Sequence, residues 1–191
     1  MGYEPEVIYD FDPHKLPPEL LRAMGLVVAA SAQTEAVVQD LIGGILNIDN
    51  IQTRSLTVHM SAPLKDQIVR SLSELDAPSV AEIDLIDELL DGINSAYSKR
   101  NAVVHNAIAR HPETGETFSY RETSRGSLQI SLQPIRASEV EKDAALIYDA
   151  GMSLMRYMIA RGLLPKVRER AIRASINRGE KARTKRRDLS V

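Results

Sequence analysis

From residue 18 to about 46, Leu20, Leu21, Met24, Val27, Val28, Val38, Ile42 and Ile45 recur at steps of three and four, with Ser31 and Glu35 on the same stripe. That period is one face of an α-helix, and Pro18 suits its first turn. Ala29, Ala30, Ser31 and Ala32 permit close approach of another helix, while Gly43 and Gly44 weaken the last turn. Residues 47–61 lose the period and carry Asn, Asp and Thr, so they read as a connection. Residues 63–75 regain it through Leu64, Ile68, Leu72 and Leu75, with Ser61 as cap. After Asp76-Ala77-Pro78, Ser79 and Glu82 have the form of a capping box. They open the longest helical segment, whose seam runs Ile83, Ile86, Leu89 or Leu90, Ile93, Tyr97, Arg100 and Val104. Arginine occupies a seam position where an apolar residue is expected, a local violation typical of functional sites.

The period then changes. Residues 111–115 (His-Pro-Glu-Thr-Gly) form a turn, and residues 117–121 and 128–132 alternate as strands do around a tip at Thr123-Ser124-Arg125-Gly126. This predicts a small hairpin at about 116–133. Its Arg121 and Arg125 either touch phosphates or cover one end of the helices. His111 is a second candidate acid or base, whose aim the following Pro112 leaves open; the loop residue His59 has no reading beyond surface. Ser138 caps a further helix to about residue 163, with Val140, Ala144, Ile147, Tyr148, Gly151, Leu154, Met155 and Met158 on its apolar face. At the other end, Pro5, Pro13, Pro17 and Pro18 exclude a regular helix and predict an extended arm over residues 1–17. Tyr3, Val7, Ile8, Tyr9 and Phe11 anchor that arm on the domain or on a partner.

Composition narrows the class. At 191 residues and 43% hydrophobic content the chain supports one well-cored domain with appendages. It has no cysteine, which excludes disulfides and thiolate metal sites. No uninterrupted apolar run approaches the roughly 20 residues a bilayer requires, and the acidic start is unlike a signal peptide; a cytoplasmic protein with no membrane partner is expected. The net charge of −2 conceals segregation. Residues 166–191 carry ten Lys and Arg against three acidic residues, a balance of +7, leaving 14 basic and 23 acidic residues, −9, before them.

The chemistry concentrates in residues 97–106, Tyr-Ser-Lys-Arg-Asn-Ala-Val-Val-His-Asn. Metal-free RNA cleavage needs a group to take the 2′-hydroxyl proton and a cation for the phosphate. An imidazole exchanges protons near neutrality, and a guanidinium grips two phosphate oxygens. From Arg100 to His105 a regular helix turns roughly 140° and rises roughly 7.5 Å, so the two are not stacked neighbours, whereas Asn101 and His105 share a face. Arg100 reaches His105 if its side chain wraps round the helix, if the helix loosens, or if a second copy contributes across an interface. The competing reading is structural: a histidine at a helix C-terminus complements the dipole, and an arginine stem covers apolar surface.

Arg100, a polar Asn101, the apolar Ala102, Val103 and Val104, and then His105 resemble the Arg-x4-His signature of HEPN domains. The resemblance covers residues 18–165 in layout and residues 100–105 in specific positions. It implies an all-α, HEPN-like helical bundle, here with a small β-hairpin insertion, acting as a homodimer whose paired motifs line one cleft, which favours the third of those routes, a second copy across an interface. It further implies a metal-independent endoribonuclease that needs no cofactor or metal and leaves 2′,3′-cyclic phosphate and 5′-hydroxyl ends. His105 would be general base or acid, Arg100 would hold the phosphate and Asn101 would orient one of them. Glu35 and Tyr97 are supporting candidates, Glu35 either pairing with Arg100 or lying at the edge of the core.

Residues 166–191 are expected to form a basic helix to about residue 177 followed by a polar tail disordered in isolation. Arg168, Arg170, Arg173, Lys185, Arg186 and Arg187 are the candidate RNA-binding positions; with no aromatic residue there, they suit phosphate contact and not base stacking. A merely solubilising terminus is the alternative. Asp84, Asp87, Glu88 and Asp91 read as a solvated face, or as a dock for that tail; carboxylates on one helix rarely supply the six oxygens of a cation site. The rival function is a non-catalytic dimeric module binding RNA or protein. A toxin or defence component with a neighbouring antitoxin is a further reading the resemblance implies.

Overall fold

A computed structural model describes residues 8–76, 79–124 and 128–168. The protein is mostly helical: α1 (Pro18–Ile45), α2 (Asn50–Thr57), α3 (Ala62–Asp76), α4 (Val80–His105) and α5 (Ala137–Arg161). Between α4 and α5 lies a three-stranded antiparallel sheet in the order β1-β2-β3, made of β1 (Ala107–Arg110), β2 (Thr117–Ser124) and β3 (Leu128–Pro134). The expected hairpin is thus two strands of three. β1 escaped the sequence reading because four residues, Ala-Ile-Ala-Arg, are too few to display a period.

The described residues fall into two compact units, one within 8–36 and 87–154, the other within 37–86 and 155–168. In the first, Leu20, Ala23 and Val27 of α1, Ala96 and Val103 of α4, and Val140, Ala144 and Ile147 of α5 form one buried cluster. Small residues set the spacing: Thr34 Oγ1 donates to the Ile147 carbonyl at 2.9 Å, and a side chain on Gly151 would meet that hydroxyl at 2.5 Å. The arm docks at its described end, where Asp10 and Arg110 exchange backbone hydrogen bonds of 3.0 and 2.8 Å. Tyr9 packs edge-on against Phe118 and His111, and Phe11 against Tyr120. A short 3-10 turn, Pro13–Lys15, leads into α1.

The second unit corrects one expectation. Residues 50–57, read as connection, are a helix, α2. Asp49 caps it in a full capping box with Gln52, and Thr53 and Thr57 satisfy their buried hydroxyls on carbonyls four residues back. An amphipathic face built from threonines carries no hydrophobic period, which is why pattern reading missed it. Gly43 leaves room for Thr53, and Gly44 for the Leu163 backbone. Asn47, at φ 51°, ends α1 with the Asn47 and Ile48 N–H groups on the Gly44 and Gly43 carbonyls, and Gly162 ends α5 in the same way.

Two caps differ from expectation. The Glu82 N–H donates to the Ser79 hydroxyl, but the Glu82 carboxylate, buried, accepts instead from the Tyr157 hydroxyl at 2.6 Å and from Arg161. The Tyr157 hydrogen bond, then Arg161, hold that carboxyl below its ordinary range. α5 starts at Ala137, so Ser138 lies inside its first turn, with the Arg136 carbonyl accepting from the Glu139 and Val140 N–H groups.

α1 is by length and composition long and apolar enough to cross a membrane, as core helices of soluble proteins also are; among its residues Leu20, Val27, Leu41 and Ile42 are buried in protein.

Candidate functional site

α4 ends at His105, and three contacts hold its last turns in place. Val103 is buried in the core, Lys99 pairs with Asp143 of α5 at 3.1 Å, and Asn106 Nδ2 donates to Ser119 Oγ of β2 at 3.0 Å. The residues on either side of the motif's tip are therefore tied to α5 and to the sheet.

On that platform Arg100 is half-buried, while Asn101 and His105 are exposed. Arg100 Nη1 lies 2.9 Å from Asn101 Oδ1 and 2.9 Å from His105 Nε2. Of the three ways to join Arg100 to His105, the described chain adopts the first: the arginine side chain wraps along an unbroken helix, and no second copy is needed for contact. With Nη1 donating, Nε2 is the accepting nitrogen and the imidazole proton sits on Nδ1. The Nη2 and Nε hydrogens of Arg100 remain for an anion, in the planar fork that suits a phosphate.

Tyr97 lies one turn earlier. Its hydroxyl is buried with no hydrogen-bond partner among the described residues. Burial, then the Glu35 carboxylate, raise its pKa, and Arg100 opposes them. Glu35 and Arg100 are thus each close enough to act on Tyr97; the resemblance offers Glu35 and Tyr97 as supporting candidates, Glu35 as a partner for Arg100 or an edge-of-core residue. The buried face of α4 is turned slightly from the expected seam: Ile86, Leu90, Ile93, Ala96 and Val103 are buried, while Val104 is exposed.

The remaining candidates lie apart from the motif. His111 Nδ1 accepts from the Glu113 and Thr114 N–H groups at 3.2 Å each, shaping the β1–β2 turn. His59 is exposed beyond α2. Arg168, in the second unit, pairs with the buried Asp49 at 2.8 Å, and the Asn50 N–H donates to the Lys166 carbonyl at 2.9 Å. The start of the basic segment is therefore stitched to the N-terminus of α2. Arg170, Arg173, Lys185, Arg186 and Arg187, with the helix and tail expected there, lie outside the described residues, as does Arg125. Among the described residues no three His, Asp or Glu side chains converge as metal ligands.

Comparison with known proteins found no matching family model, curated protein or solved structure.

Proposed function

We propose that this protein is a metal-independent endoribonuclease of the HEPN kind. The observation that carries the reading is the 2.9 Å contact of Arg100 Nη1 with His105 Nε2 at an exposed helix end. One cation and one proton carrier stand within reach of a single phosphate. In the proposed reaction the guanidinium turns from Nε2 to the scissile phosphate. The freed Nε2 takes the proton of the ribose 2′-hydroxyl, whose oxygen attacks phosphorus as the bond to the 5′-oxygen breaks. A proton delivered to that oxygen completes a 5′-hydroxyl, leaving a 2′,3′-cyclic phosphate. Asn101 restrains Arg100, and Glu35 and Tyr97 set its electrostatic surroundings.

We further propose a homodimer. Leu21 and Val28, 42% and 54% exposed, with exposed Gly25, Ala29 and Ala32, form an apolar stripe on α1 without a covering element among the described residues. It lies beside Glu35 on the same helix, so pairing there would set two motifs near one another. The binding-module reading keeps one support of its own, the charge balance of residues 166–191. Antitoxin partnership and cytoplasmic location rest on the resemblance and on composition.

The test is incubation of total RNA in EDTA with the native chain and with Arg100→Ala and His105→Ala variants that retain their circular dichroism. Cleavage by the native chain alone, leaving cyclic phosphate ends, is the expected result. Equal cleavage by all three, or by none, would overturn the assignment.

A further inference from the structure

The hydrogen-bonding register of the sheet sends Ser119 and Arg121 of β2, and Ser131 and Gln133 of β3, to one side, and Phe118, Tyr120, Ile130 and Leu132 to the other. On the polar side the sheet, the end of α4 and the start of α5 border a half-open cavity of about 190 Å³. Val103 and Val140 supply apolar wall; Asn106, Gln133, Arg121 and Glu139 supply polar groups.

Two of these are opposite charges that do not meet. The side chains of Arg121 and Glu139 line the same cavity, yet neither hydrogen-bonds or ion-pairs with any described residue. A guest that joins them must accept from a guanidinium and donate to a carboxylate, with the little exposed surface of Val103 and Val140 beneath it. Among the RNA bases, guanine has both edges in the required form. Its O6 and N7 accept from an arginine fork, and its N1–H and N2–H donate side by side to the two oxygens of a carboxylate. Adenine lacks the O6 acceptor, and cytosine and uracil lack the adjacent pair of donors.

Position connects the cavity to the motif. Asn106 follows His105 directly, their Cα atoms about 3.8 Å apart, but is turned from it by roughly 100° if the helical turn continues. Because Ala102, Val103 and Asn106 line the cavity while Asn101 and His105 lie on the other side of the helix, an RNA strand with its phosphate at Arg100 and His105 would have to cross the C-terminal end of α4 to reach it. We propose that the cavity binds a guanine base and sets a sequence preference for guanine at a nucleotide beside the cleaved bond. This rests on the reading of Arg100 and His105 as an RNA-cleaving site.

The experiment titrates the isotopically labelled full-length chain with GMP, AMP, CMP and UMP in turn, following the side-chain amides of Asn106 and Gln133 by NMR. All four probes carry the same phosphate, so differences between them report the base. GMP is expected to shift both amides and to bind at least about tenfold more tightly than the others, and Arg121→Ala or Glu139→Gln to weaken it about tenfold. Both side chains are exposed, so the variants are expected to melt as the native chain does. Equal responses to all four nucleotides, shifts confined to other residues, or unchanged GMP affinity in both variants would overturn the proposal. Guanine-selective binding supports the base site whether or not RNA is cleaved; failure of the native chain to cleave RNA counts against the ribonuclease reading and the cleavage preference drawn from it, not against the base site.

Discussion

Arg100 Nη1 stands 2.9 Å from His105 Nε2 across five residues of continuous helix. The guanidinium spans the helical offset that keeps the two backbones apart, so the motif is assembled within one chain. Its parts remain at the surface, where a phosphate can reach them.

His105→Ala is expected to cut the rate of RNA cleavage by roughly 10² to 10⁴-fold through loss of proton transfer. Because His105 is exposed, the variant's melting temperature should match the native one. Arg100→Lys is expected to restore little, since an ammonium offers a point charge in place of a fork. Cleavage rates measured on one oligonucleotide, beside thermal melts, check both.

Placing a charge on the α1 stripe, as in Val28→Glu, is expected to shift sedimentation of the native chain from dimer to monomer and to lower cleavage with it. A native chain that sediments as a monomer at working concentrations would remove the paired arrangement from the mechanism.

Gly92 and Gly151 predict opposite signs for the same change. Nothing lies within 4 Å of a Cβ on Gly92, so Gly92→Ala should stabilise by about 0.5–1 kcal/mol. On Gly151 the methyl would meet Thr34 Oγ1 at 2.5 Å, and Gly151→Ala should cost about 1–3 kcal/mol. Urea denaturation of the two variants decides it.

Glu82 makes stability depend on acid. Its folded pKa lies below the ordinary value of 4.5, so its contribution is present above that value and is lost as pH falls through the lowered one. The native chain should therefore lose more stability between neutral pH and that acid window than Glu82→Gln does. Urea midpoints for both chains across that range test it, and parallel curves would refute it.

Removing residues 169–191 leaves the Arg168 to Asp49 pair and takes away eight basic residues. If they contact RNA phosphates, log affinity should become less steep in log salt by at most about 5–6 units. Arg168→Ala alone should change that slope little, because its guanidinium is engaged by Asp49.

Much of the helical layout was legible because long amphipathic segments repeat their pattern many times; α1, α3, α4 and α5 fall within a few residues of expectation. α2 was not, because Thr53 and Thr57 bury a polar face that only their backbone hydrogen bonds make tolerable. Glu82 was placed correctly at a helix start but given the wrong partner. A cap is a local matter, whereas Tyr157 and Arg161 are more than seventy residues away. At the site, Arg100, Asn101 and His105 were readable as types at a spacing. The wrap of Arg100 onto Nε2 was one of three routes, and the resemblance favoured another, a second copy across an interface; side-chain paths follow from the packing around them.

The sequence by itself determined the class of fold, the placing of Arg100, Asn101 and His105 together near the end of one long helix, and the separation of acidic and basic charge. These follow from periodicity, residue type and count, which act over a few turns or over the whole chain. Only the tertiary structure decided that Asp49 holds Arg168, that Asn106 is tied to Ser119, and that Arg121 and Glu139 share a cavity without meeting. Each joins residues distant in the chain, and their distances are set by the packing of the elements that carry them.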